Sequence, residues 1–196
     1  MAEALLQVVE AEGLEAASIP RIARELDSST GLVQTYFRSK DELLLFAAEH
    51  LGELLRARVT AALQVAGEAD IKERLLHTMC VIAGAGNERA GEGRVWLAFL
   101  ARAAFQPELR RVHVAGAEEI RRHCRLALEA AQQCGQVDRA LDPPAEARAL
   151  AAFADGLAVQ RAVEPELITD RQVRDLLDRY LDRVFTGDGD RRGGSG

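Results

Sequence analysis

Over residues 1–46 the apolar positions recur at helical rather than strand spacing. From Ala2 to Glu12, Leu5, Val8 and Val9 share one face, and Gly13 supplies a stop. A second short helix is predicted after Ser18, a candidate N-cap, with Pro20 tolerated in its first turn. Ile19, Ile22, Ala23 and Leu26 follow the i, i+3, i+4, i+7 spacing of one buried stripe, and Arg21 and Arg24 fall outside it. Asp27-Ser28-Ser29 is a polar turn. Ser29 then caps a third helix running from Thr30 to about Phe37. Ser39-Lys40-Asp41-Glu42 has the S-x-x-E form of a capping box, with acids in the first turn, and opens a fourth helix reaching about Ala66.

The same spacing predicts further helices at Ile71–Ala83, Arg94–Ala104, Pro107 to about Cys134, Pro143–Val163 and Arg171–Phe185. Glycine-rich Gly84–Gly93 reads as a loop, Gly135–Asp142 as a linker and Glu164–Asp170 as a turn. Residues 186–196, rich in Gly, Asp and Arg, read as a disordered tail. No run alternates as a half-buried strand would. The expectation is an all-α fold of about nine helices. Residues 1–46 form a three-helix module with a helix-turn-helix, and residues 47–185 form a helical body.

A helix-turn-helix lays its second helix in the DNA major groove. At 100° per residue, Val33 and Phe37 point inward toward Ile22 and Leu26. Gly31, Leu32 and Thr35 point outward, flanked by Gln34 and Tyr36. Small or polar side chains let a helix backbone approach base edges, and Gly31 and Thr35 supply them. Gln34 suits adenine, Thr35 a base edge or methyl group, Tyr36 a phosphate, and the outward Leu32 a thymine methyl. Ser29 and Thr30 open this helix. Lys40, at the start of the fourth helix, suits a phosphate; Ser18, Arg21 and Arg24 are candidates for the opposite flank.

Composition narrows the reading. At 48% hydrophobic the chain can bury a sizeable core, and no apolar run approaches the roughly 18 residues of a membrane span. The first residues lack the basic region of a signal peptide. Net charge is −6. Four basic side chains in residues 1–45 (Arg21, Arg24, Arg38, Lys40) stand against eight acidic ones, so a sequence-blind nucleic-acid coat is excluded and any DNA contact is local. Cys80, Cys124 and Cys134 are too few and too scattered for a disulfide framework, which fits a reducing cytoplasm. No Cys or His spacing fits a metal, no phosphate loop precedes a helix, and no nucleophile–base constellation stands out. The expectation is a non-enzyme without cofactor or metal.

Gly13, Ser18, Ile22-Ala23, Ser29, Gly31-Leu32, Tyr36-Phe37 and Ser39-Lys40-Asp41-Glu42-Leu43 together resemble the N-terminal pattern of the tetracycline-repressor (TetR/AcrR) family of bacterial transcription regulators. Asp27 stands where that pattern commonly has Gly. Asp155-Gly156-Leu157-Ala158-Val159-Gln160, followed by Leu176-Leu177-Asp178-Arg179-Tyr180-Leu181, resembles the C-terminal half of its BetI-like branch. The resemblance implies a homodimer that reads a palindromic double-stranded operator and responds to a small-molecule effector.

Given that resemblance, Leu150, Phe153, Gly156, Leu157, Leu177, Tyr180, Leu181 and Val184 are candidates for a four-helix dimer seam, with an intramolecular core as the alternative. An effector pocket is expected between the fifth, sixth and seventh helices. Its candidate walls are Met79, Trp96, Phe99, Leu100, Phe105 and Cys124, with His77, Arg121 and His123 as polar anchors. The competing reading is an all-α dimeric binding or scaffold protein without DNA function.

Overall fold

The computed structural model describes residues 1–86 and 91–186. Part of the expected Gly84–Gly93 loop and all but the first residue of the expected disordered tail lie outside them. Among the described residues the chain is helical without strands: α1 (Ala2–Glu12), a single 3₁₀ turn (Leu14–Ala16), α2 (Ile19–Glu25), α3 (Thr30–Tyr36), α4 (Lys40–Ala66), α5 (Ile71–Ile82), α6 (Glu92–Ala103), α7 (Pro107–Gln133), α8 (Pro143–Val163) and α9 (Asp170–Val184).

The expected caps form, with one difference. Ser18 Oγ accepts from the Arg21 N–H at 3.4 Å, Ser29 Oγ from Leu32 at 3.1 Å and Ser39 Oγ from Glu42 at 3.1 Å. At α4, however, the Glu42 carboxylate accepts from the Arg38 N–H at 2.7 Å, one residue before the position a capping box uses. A reciprocal capping box forms instead at Thr169 and Gln172, starting α9 at Asp170. Phe37 lies beyond α3 in extended backbone, its ring 5.2 Å from that of Phe46.

Two cores result. The first joins Leu5, Val8, Ile22, Val33, Leu43 and Leu44 of the N-terminal helices to Val95, Phe99 and Ala103 of α6 and Leu109 of α7. The second gathers Leu76 and Met79 of α5, Cys124 and Leu128 of α7, Leu150 and Leu157 of α8, and Val173, Leu177 and Leu181 of α9. The sixth helix thus packs with the helix-turn-helix module although more than forty residues of chain intervene. Two glycines let it sit closely. A Cβ at Gly91 would run into the Glu10 side chain of α1, and one at Gly93 would stand 3.3 Å from the Ala162 Cβ of α8. No described helix is long and apolar enough to cross a membrane.

Candidate DNA-reading surface and effector cavity

The turn between α2 and α3 closes with a pair of backbone bonds: Asp27 N–H to Arg24 C=O at 3.2 Å and Ser28 N–H to Ala23 C=O at 2.9 Å. This double bond places Asp27 in the left-handed region, at φ 47°, and turns the chain sharply enough to set α3 across α2. Val33 then has no exposed surface, whereas Leu32 and Tyr36 are 50% and 65% exposed. Ser29, Thr30, Gly31, Gln34 and Thr35 are exposed as well. Thr35 Oγ1 donates to the Leu32 carbonyl at 2.6 Å, leaving its methyl group and the oxygen lone pairs toward solvent. One uncharged ridge therefore faces outward.

The flanking cations are already engaged. Arg21 donates to Glu12 (2.9 and 2.7 Å) and to Glu25 (2.7 Å), and these bonds hold its guanidinium protonated more firmly than usual. The same contact holds the Glu12 carboxyl below its ordinary range. Lys40 Nζ donates to the Glu15 carbonyl at 2.8 Å and to its carboxylate at 3.1 Å. Arg24 is exposed.

Behind this module lies a cavity of about 960 Å³ walled by α4, α6, α7 and α8 and the end of α5. Trp96, Phe99, Leu100, Arg121 and His123 line it, as expected from the sequence. Four other expected residues do not. Met79 and Cys124 have no exposed surface and meet sulfur to sulfur at 4.0 Å inside the second core, where burial pushes the Cys124 thiol up to about 12. His77 Nε2 lies 2.9 Å from the Glu73 carboxylate, away from the cavity, and Glu73 also accepts from Arg174. Phe105 is 92% exposed beyond the end of α6.

Sequence reasoning missed the contributions of α4 and α8. Leu55, Val59 and Leu63 form much of the α4 wall, and Arg58 pairs with Glu92 through two bonds of 2.6 and 2.8 Å at the rim. The α8 wall is Ala151, Asp155, Ala158 and Ala162, spaced i, i+4, i+7, i+11: small side chains that leave room, with one carboxylate among them. That spacing was visible in the sequence as one face with a single charge. Asp155 is half-buried and accepts no hydrogen bond among the described residues. Burial raises its carboxyl pKa, against the opposing fields of His113 and Arg121. Arg161, also at the cavity, is turned toward Asp170 and the Ile168 carbonyl.

The residues read as a dimer seam separate into two sets. Leu150, Leu157, Leu177, Leu181 and Val184 are between 0% and 8% exposed within the single chain, packed against α5 and α7, so they are intramolecular core. The apolar pattern marked burial correctly but not what covers it. Gly156 is exposed, and Phe153 and Tyr180 are half-buried, their rings stacked at 5.1 Å. Tyr180 donates to Glu146 at 2.6 Å; burial and that carboxylate push its phenol pKa up. Val163 and Leu176, on the same two helices, are 64% and 38% exposed.

Residues 2–46 match the model of the bacterial regulatory proteins of the tetR family, and residues 71–186 match the BetI-type transcriptional repressor C-terminal model. The chain belongs to the TetR family. An HTH-type transcriptional regulator BetI from Ectopseudomonas mendocina is 32% identical over 185 residues, 91% of this chain and 88% of that one. Among solved structures, a transcriptional regulator from Rhodococcus sp. Rha1 superposes with TM-score 0.83 at 28% identity, covering 94% of both chains. A transcriptional regulator from Saccharomonospora viridis, in complex with choline, superposes with TM-score 0.81 at 23% identity, covering 92% of this chain and 93% of that one. This TetR-family chain is therefore a DNA-binding transcription regulator of the repressor type, and its family is one of regulators rather than enzymes.

Proposed function

We propose that the chain acts as a homodimeric repressor that reads a palindromic operator with two copies of α3 and leaves it when a small organic cation fills the cavity. The observation that carries the DNA reading is the two-sidedness of α3: Val33 is fully buried while Gly31, Leu32, Gln34, Thr35 and Tyr36 stand free on one outer surface. Ser18, Ser29 and Thr30 fix the helix starts at its edge, and Arg21 and Lys40 supply flanking charge. The dimer rests on the outer surface of α8 and α9, where Gly156, Val163 and Leu176 are exposed beside the stacked Phe153 and Tyr180.

The cation reading rests on Asp155 and Trp96. A half-buried carboxylate without a hydrogen bond gains from a bound positive charge, and an aromatic face attracts one. The choline carried by the S. viridis regulator has this chemistry. Release follows if the cation binds the DNA-incompetent arrangement more tightly.

The experiment is selection from a random duplex pool, followed by a mobility-shift titration of the recovered sequence with and without choline. A recovered inverted repeat, bound as a dimer and released by choline, supports the proposal. Failure to enrich any duplex at low salt would contradict the proposal.

A further inference from the structure

The sixth helix faces two ways. Trp96, Phe99, Leu100 and Ala103 line the cavity. Arg102, in the same turn as the last of these, crosses instead to the DNA-binding end. Its Nη1 lies 3.2 Å from the Glu15 carboxylate and its Nη2 3.3 Å from that of Asp41, while its Nε is steadied by Gln106 at 3.0 Å. Glu15 in turn holds Lys40 through its carbonyl and its carboxylate. An ammonium has three donors; two are directed at Glu15 and one remains for a phosphate.

We infer that Arg102 is a positioning residue for DNA binding: the backbone carbonyl of Glu15 holds the Lys40 ammonium, and Arg102 offsets the carboxylates of Glu15 and Asp41 beside it. The inference rests on the reading of Lys40 as a phosphate contact. With Arg102 in place the four side chains sum to no net charge. Without it, a phosphate approaching Lys40 meets two carboxylates and one ammonium. Lys40, Glu15, Arg102 and Asp41 form a chain of contacts 3.1, 3.2 and 3.3 Å long, each well inside a Debye length, so the missing charge is felt at the phosphate. Because exposed ion pairs are individually weak, the effect is about threefold in affinity per recognition module and acts twice in a dimer.

The test is a titration of the selected operator with the wild-type chain, Arg102→Ala, Arg102→Lys, Glu15→Gln and the Arg102→Ala/Glu15→Gln double variant, each first checked for helicity and melting. Arg102→Ala should weaken binding about threefold per module and Arg102→Lys should restore most of it. Glu15→Gln should tighten binding, and the double variant should return to wild-type affinity or better. The slope of log affinity against log salt should stay unchanged for Arg102→Ala; a fall of about 0.9 per module would mean that Arg102 itself contacts phosphate and would overturn the inference. Wild-type affinity in Arg102→Ala, or no gain in Glu15→Gln, also overturns it. If Arg102→Ala fails to fold, Glu15→Gln decides alone, since a mere interdomain staple would not tighten DNA binding when broken. A wild-type chain that binds no duplex defeats the functional proposal, and this inference with it.

Discussion

Asp27 occupies a position that glycine usually holds. The same paired bonds that close α2 recur after α5 and α7, at Gly84 and Gly135, where φ is 77° and 74°. Only at the helix-turn-helix does a side-chain-bearing residue adopt that geometry among the described non-glycine residues. A Cβ in the left-handed region costs about 1 kcal/mol, so we expect Asp27→Gly to raise stability in urea by about 0.5–1 kcal/mol and Asp27→Val to lower it by about 1 kcal/mol. Asp155 stores a different penalty. Its pKa in the folded chain lies above the unfolded value of 3.8, so stability falls as pH rises from that value through the raised one. Asp155→Asn removes this loss: its melting temperature at neutral pH should exceed that of the wild type, and the stabilisation by added choline should disappear. Melting curves against pH, with and without choline, check both. The Asp27 departure was legible in the sequence because the family pattern the chain resembles commonly has Gly there. The penalty at Asp155 was not, since it depends on three helices brought beside it.

At the scale of elements, local chemistry carried furthest. Ser18, Ser29 and Ser39 cap the helices they precede, because a cap joins residues three apart and needs no tertiary information. The inward and outward faces of α3 followed equally from periodicity. Periodicity fell short at α8 and α9, where it identified buried leucines and could not tell a partner helix of the same chain from one of a second copy. The two surfaces now make separable predictions. Leu177→Ala, at a fully buried site, should cost about 3 kcal/mol of stability through the cavity it leaves. Val163→Asp with Leu176→Asp, both on exposed positions, should leave helicity intact and convert the dimer to monomer in sedimentation velocity. A dimer that survives the double substitution would place its seam elsewhere.

Across the whole molecule, the first core does not end where the helix-turn-helix ends. Val95, Phe99 and Ala103 of α6 complete it from a distant part of the chain, and Phe99 and Ala103, with Trp96 and Leu100 of the same helix, also wall the cavity. Such long-range packing leaves no trace in local spacing, which is why the sequence placed the pocket between α5, α6 and α7 and overlooked α4 and α8. One helix thus borders both the cavity and the helix-turn-helix core. The proposed regulation depends above all on the outer ridge of α3 reading DNA. Its most direct test is a fluorescence-anisotropy titration of the selected operator with wild-type and Tyr36→Ala protein at fixed salt. Tyr36 is 65% exposed, so Tyr36→Ala should melt as the wild type does and bind at least about tenfold more weakly. Equal affinity of the two proteins for the operator would contradict the account.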